Sequence, residues 1–330
     1  MKRHGVPAPG GQMPAKVHHR QPEPAAPRTL GDRGHRDPAP ALRGRIEARL
    51  AELVPPEGAH PDLLHRAMRY SLLAGGKRIR PLLTIQVATD FGASEIDALD
   101  PACAIEMVHT ASLILDDMPC MDDATLRRGE PANHRVFGED TAILAATALL
   151  NRAFGVVADC ERLPAATRLD LVRLLSEAVG SNGIIAGQLC DLRMRHGQGD
   201  DIADITQMYH QKTGALFVAA LEAGARVAGV EEAWVRAVRE YAVNLGLAFQ
   251  ILDDLLDAYG SQAEIGKDTG QDETKNTLVS RLGPDGARLA VCRYVRSAAT
   301  ALEPLGESGT PLIDLARSYT EPTMERVLYL

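Results

Sequence analysis

The chain has 330 residues, of which 45% are hydrophobic, 24% charged and only 4% aromatic, and it carries a formal net charge of −8. That length and apolar content suffice for a sizeable core, and the excess of acid argues against a nucleic-acid partner. Ala and Leu are abundant while runs of Val, Ile, Thr and aromatic residues are scarce, so the composition points to an all-α protein. Cys103, Cys120, Cys160, Cys190 and Cys292 form no CxxC pair and no zinc-like spacing. Their odd number reads as reduced thiols in a cytoplasmic protein rather than as a disulfide framework.

In chain order, residues 1–40 come first, with eight of the twenty prolines and almost no apolar periodicity. This stretch reads as a disordered tail. It has neither the apolar core of a secretory signal nor a single serine, which speaks against a transit peptide. From Ala41 to Leu330 the pattern is helical with short breaks, and nothing marks a second domain. Helices of about 11–12 residues would give ten to twelve in one bundle. Ile46, Leu50 and Leu53 follow the i, i+4, i+7 spacing of an amphipathic helix, which Pro55-Pro56 stops.

Next comes LLAGGKRIRPLL, which places Lys77, Arg78 and Arg80 directly after Gly75-Gly76. Glycine lets a backbone approach a ligand closely, and Lys with Arg suits a diphosphate. Alone, such a string reads equally well as a charged helix end. His109 then lies two turns before Asp116, on roughly the same face of an apolar helix. Asp116, Asp117, Asp122 and Asp123 stand in LILDDMPCMDDATLRRG. Six residues span about 240° of a regular helix, so Asp116 and Asp122 converge only if Pro119 interrupts it. Arg127-Arg128 supply a second basic pair. The stretch from Ala142 to Leu150 reads as a core helix, since no apolar run reaches the roughly 18 residues of a membrane span.

Further on, Lys212-Thr213 in YHQKTGALF is a candidate phosphate contact. In AFQILDDLLDAYG, Asp253 and Asp257 stand four apart and point the same way, with Asp254 beside them and leucines around. Two carboxylates about 4 Å apart repel by roughly 4 kcal/mol at an effective dielectric near 20. A half-apolar helix carries such a pair only with a cation between them, and oxygen-only ligands favour Mg²⁺, which keeps waters and shares substrate phosphates. Lys267 follows in a Gly-rich loop ten residues after Asp257.

Taken together, GGKRIRP, DDMPCMDD followed by LRRG, QKTG, FQILDDLLD and GKDTGQDETKNTLV resemble the trans-prenyl diphosphate synthase family in order and spacing, from about residue 45 to about 290. The likeness is greatest to bacterial geranylgeranyl diphosphate synthases of the carotenoid type. The resemblance implies the isoprenoid synthase fold, a helical bundle around a central cavity, working as a homodimer on isopentenyl diphosphate and allylic diphosphates. It implies that Asp116, Asp122 and Asp253 hold Mg²⁺, three ions per site, with Asp117, Asp254 and Asp257 completing or supporting that shell. Arg127, Lys212, Thr213, Gln250 and Lys267 would contact the allylic substrate, and Lys77, Arg80, His109 and Arg128 the isopentenyl diphosphate. The chain departs from many relatives at Ala124-Thr125, where they carry further acids, and at its ERVLYL end, where Arg326 is the nearest candidate for a basic closing tail.

Product length is expected to depend on Ala111 and Ser112. Ala111 lies five residues before Asp116, about 7.5 Å down the helix at 1.5 Å per residue. Farnesyl-forming relatives carry an aromatic floor at that position, and Ala lets a longer chain pass toward Met107 and Val108. The expectation is a C20 product, geranylgeranyl diphosphate, with a C15 synthase as the alternative. A class I terpene cyclase shares one DDxxD cluster but has no use for GGKRIRP. A non-catalytic modulating subunit would be expected to have lost one of the clusters.

Overall fold

The computed structural model describes residues 39–195, 201–259 and 277–314. Most of the expected tail, Lys267 and Arg326 lie outside the described residues. The described chain is helical almost throughout. Helix α1 (Ala39–Leu53) begins two residues earlier than the composition suggests, and Ile46, Leu50 and Leu53 are buried as their spacing requires. It is followed by α2 (Asp62–Leu72), α3 (Ile79–Asp90) and α4 (Glu95–Asp116). Gly92, with φ of 91°, turns the chain between α3 and α4.

After α4 the sequence pattern conceals a small β-ribbon. Leu126–Arg127 (β1) pairs antiparallel with Glu130–Pro131 (β2), Leu126 opposite Pro131 and Arg127 opposite Glu130. The two residues between them, Arg128 and Gly129, have φ of 56° and 84°. Two successive positive φ values fit the primed turns that match strand twist. The chain continues through α5 (Asn133–Phe137), α6 (Glu139–Ala158), α7 (Ala165–Val179) and α8 (Ile184–Met194).

Helix α9 (Ile202–Tyr209) is capped by Asp201, whose side chain accepts from Asp204 N at 2.7 Å. It runs into a π-helical turn, His210–Gly214, and then α10 (Ala215–Ala228), which ends at Gly229 with φ of 67°. Helices α11 (Glu232–Tyr259) and α12 (Leu278–Ala301) follow, α12 opening on a Thr277/Ser280 capping box. A kink interrupts α12 at Gly283, just before Pro284, with φ of 69° and ψ of 168°.

Helix α4 is the spine. It packs on α3, α6 and α10, and its face from Ala98 to Ile114 is almost wholly buried. A second apolar cluster joins α8, α9, α11 and α12 through Met194, Ile205, Ile251, Leu255, Leu278 and Val291. Helices α4 and α6 are both long and apolar enough to cross a membrane by length and composition, but 67% of the apolar window of α4 is buried inside the bundle, as befits a core helix. Helix α6 corrects the sequence reading of Ala142 to Leu150. Ala142, Ala145, Ala146 and Leu149 are buried, whereas Ile143 and Leu144 are 46% and 60% exposed. Only one side of this helix therefore belongs to the core.

The π-helical turn is pressed against α8 at Gly187. A Cβ added to Gly187 would stand 2.2 Å from the backbone N of Lys212 and 2.6 Å from its Cα. No side chain fits there, and the missing Cβ is what lets α8 and the turn touch. Gly187→Ala is therefore expected to lower stability by about 1–3 kcal/mol or more through overpacking. Urea denaturation of the variant beside the parent checks this.

Candidate active site

The first acidic cluster is built by a fold-back after α4. Pro119 ends the helical ladder, and the backbone N of Asp122 donates to the carbonyl of Asp116 at 2.9 Å. Further bonds run from Asp123 N to Met118 O at 3.0 Å and from Ala124 N to Asp117 O at 3.2 Å. The interruption that the spacing demanded is present, and it returns Asp122 to the level of Asp116. Burial raises the Asp116 carboxyl to about 6, against the pull of Lys212 and with the charges of Asp122 and Asp117 adding to the rise. The Asp116 carboxylate makes no hydrogen bond or ion pair among the described residues.

The neighbouring acids are already engaged. Asp117 is buried and gripped by Arg127, whose Nε donates to it at 2.9 Å. Asp122 accepts from Arg195 Nη2 at 2.7 Å. The same guanidinium reaches Asp191 at 2.8 Å, and Lys212 Nζ lies 2.6 Å from that carboxylate. Burial pushes the Asp191 carboxyl up, but Lys212 and Arg195 outweigh it and hold the group below the usual range.

The second cluster sits on α11. Asp253 is exposed, Asp257 partly so, and Asp254 is turned inward. Asp254 accepts from the Tyr209 hydroxyl and from Gln250 Nε2 at 2.9 Å, while Thr213 Oγ1 donates to Gln250 Oε1 at 2.7 Å. Tyr209 in turn accepts from Leu278 N at 3.1 Å. The chain of bonds ties the π-helical turn to α11 and α12, so Thr213 and Gln250 stand together as the sequence order alone did not require.

Opposite in charge is the cluster around GGKRIRP. Arg78 is wholly buried and pairs with the buried Glu106 at 2.6 Å and the Leu72 carbonyl at 2.7 Å. It is a structural residue, held in left-handed backbone with φ of 50°. Arg128 donates to Gly75 O at 2.6 Å and approaches Glu106 at 3.4 Å. A Cβ on Gly76 would stand 3.2 Å from the Arg128 guanidinium carbon, so glycine there leaves room for the arginine. Lys77 is exposed.

Among the described residues, Arg80 makes no carboxylate pair within 4 Å and its Nε is unpartnered; it lies 4.8 Å over the Phe217 ring and 3.5 Å from His109 Nε2. Burial lowers it to about 10, with Glu106 and Asp253 opposing, so it stays charged at neutral pH. His109 is driven well below its ordinary value by burial first and then by Arg80, Arg128, Arg127 and Arg78. Its position thus belongs with the arginines, and a neutral ring accepts from Arg80.

Ala111 is buried, and Ser112 donates back to His109 O at 2.9 Å along α4. Sequence reasoning passed over Glu106, Asp191, Arg195 and Tyr209. Asp191 and Arg195 do carry a signal, an opposite-charge i, i+4 pair on the helix that holds Gly187. Glu106, one turn before His109, shows none beyond being an acid in an apolar run.

Among the described residues, no three His, Cys, Asp or Glu side chains gather closely enough to cage a metal ion. Mg²⁺ does not ask for such a cage: it takes one or two carboxylates together with waters and substrate phosphates. The half-buried Asp116, whose carboxylate is unpaired among the described residues, forms with Asp122 an oxygen-only pair that suits it.

The chain matches the polyprenyl synthetase family over residues 61–280, and it belongs to that family. It is 43% identical over 279 residues to a geranylgeranyl diphosphate synthase of Pantoea ananas, covering 83% of this chain and 90% of the relative. It is 41% identical over 256 residues to a farnesyl diphosphate synthase of Geobacillus stearothermophilus, covering 76% and 86%. The solved apo structure of an FPP/GFPP synthase from Zymomonas mobilis aligns with a TM-score of 0.76 at 35% identity, over 85% of this chain and 96% of that one. The fold is therefore the all-helical isoprenoid synthase fold, and the chain is a prenyltransferase of head-to-tail prenyl elongation.

Because His109 is neutral in the folded protein, the unfolded chain takes up the proton first as pH falls. Stability is then lost below about 6.5, the ordinary histidine value. Urea midpoints at pH 7.5 and 5.5 are expected to fall less in His109→Gln than in the parent.

Proposed function

We propose that this protein joins isopentenyl diphosphate to allylic diphosphates with Mg²⁺ and makes all-trans geranylgeranyl diphosphate. The observation that carries the reading is the pairing of two surfaces of opposite charge. Asp116 and Asp122 stand side by side with only partial neutralisation, while Arg80 and Lys77 carry charges that no carboxylate among the described residues pairs within 4 Å. An anion bridged to one side by cations and an anion held directly by the other fit such a site.

Asp116, Asp122 and Asp253 would hold Mg²⁺, with Asp257 on the open face of α11 beside Asp253. Asp117 and Asp254, engaged by Arg127 and by Tyr209 with Gln250, suit a supporting part. The bound ions would supply Lewis-acid stabilisation of the departing diphosphate, three per site by the family likeness. Arg127, Lys212 and Lys267 would neutralise that leaving group, with Thr213 and Gln250 lining its approach. Lys77, Arg80, His109 and Arg128 would fix the diphosphate of isopentenyl diphosphate and so aim its double bond. The allylic C–O bond breaks with its electron pair leaving on pyrophosphate, the isopentenyl double bond forms the new C–C bond, and the released pyrophosphate takes the proton. Arg80 would donate hydrogen bonds and charge, while neutral His109 would steady its guanidinium by accepting from it, neither competing as a base.

Ala111 supports the C20 product, since nothing larger than a methyl group projects there. Incubation with isopentenyl diphosphate and each allylic primer should give a dominant C20 product that EDTA abolishes and Mg²⁺ restores. A dominant C15 product would sink the Ala111 argument, and metal-independent or absent turnover would favour a modulating subunit. Ala111→Tyr should shift the output to C15.

The half-exposed apolar face of α6 supports a homodimer. Only 44% of its apolar window is buried within one copy, and large exposed apolar patches mark contact surfaces. Leu144→Glu should shift the species seen by size-exclusion chromatography with light scattering from two copies to one.

A further inference from the structure

We propose that Arg195 is a positioning residue of the first aspartate cluster. It fixes the Asp122 carboxylate so that its second oxygen faces a divalent cation shared with the allylic diphosphate. The inference rests on the elongation reading above and adds a residue that none of the recognised motifs contains.

Asp122 lies beyond the end of α4, where no helical ladder holds it. Its backbone is fixed by the bond from Asp122 N to Asp116 O at 2.9 Å, which leaves the side chain to be set by something else. Arg195 does so from a different element. Its Nη2 donates to Asp122 Oδ1 at 2.7 Å and to Asp191 Oδ2 at 2.8 Å, while Nη1 donates to Met121 O at 3.2 Å. Asp191, 8% exposed on α8, is itself pinned by Lys212 at 2.6 Å. The planar fork therefore clamps both a backbone carbonyl and a carboxylate of the fold-back to a rigid helix, which a lysine ammonium cannot match.

Among the described residues, Asp122 is hydrogen-bonded through Oδ1 alone. Its other oxygen is left for a cation, and Arg195 need not be displaced when one binds. This is the arrangement in which an outer partner orients a metal-binding carboxylate, and losing such a partner typically weakens metal binding about 10–100-fold. If Arg195 were instead a competitor occupying the cation's place, its removal would tighten binding.

The test compares Arg195→Met, which keeps the stem and removes the fork, with Arg195→Lys, which keeps only the charge. Mn²⁺ binding is followed by electron paramagnetic resonance in the presence of the unreactive thio analogue of dimethylallyl diphosphate. Binding is expected to weaken roughly 10–100-fold in Arg195→Met and by an intermediate factor in Arg195→Lys. At limiting Mg²⁺ the KM for the allylic substrate should rise while that for isopentenyl diphosphate stays unchanged. Thermal unfolding without metal identifies the folded variants, and if Arg195→Met does not fold, Arg195→Lys carries the comparison. Unchanged or tighter Mn²⁺ binding in a folded variant overturns the proposal. Wild-type protein that binds no Mn²⁺ and forms no product overturns the elongation reading itself, and the role of Arg195 with it.

Discussion

A single buried carboxylate, Glu106 on α4, makes the crowding of positive charge at this site tolerable. Arg78 is fully enclosed, and Arg80 and Arg128 lie close by. Guanidinium groups do not lose their proton, so burial without an anion would oppose folding strongly. Glu106 pairs directly with Arg78 and Arg128 and lends its field to Arg80. Arg78 then serves as internal bracing, and Arg80 is left with spare donors. The left-handed backbone at Arg78 and Arg128 is the strain accepted to aim these side chains.

The acidic side obeys the same logic with the signs reversed. Each aspartate that is deeply set has a cation or a hydroxyl on it: Arg127 on Asp117, Arg195 on Asp122, Tyr209 on Asp254. Asp116 is the exception, and its carboxyl rises to about 6 as burial and its acidic neighbours dictate. A site meant to gather anions on an acidic protein thus keeps its own repulsions in partial balance. The π-helical turn and Gly187 serve this balance, because they bring Lys212 against α8, where Asp191 receives it.

Much of this was readable in one dimension. The heptad-like spacing of Ile46, Leu50 and Leu53 announced a buried helical face, and the i, i+4 pair Asp253 and Asp257 announced a shared open one. Pro119 required a break between Asp116 and Asp122, since six residues of unbroken helix would turn them apart. The ribbon at Leu126–Pro131 was not readable, because strands of two residues leave no periodicity to detect. The exposed side of α6 was hidden for another reason: apolar residues on both faces look alike until neighbours cover one of them. The pairing of His109 with Arg80 was equally silent, for it joins residues 29 apart on separate helices.

By itself, the sequence determined the all-helical class, the two aspartate clusters, the arginine string and the family to which they belong. These are properties of residue type and local spacing, which a helix converts directly into shared faces. The tertiary structure decided which of those charges are free. It enclosed Arg78 and left Arg80 open, turned Asp254 inward and Asp253 outward, and set Arg195 against Asp122 across 73 residues of chain. Pairing is a matter of distance between elements, and only packing fixes that distance.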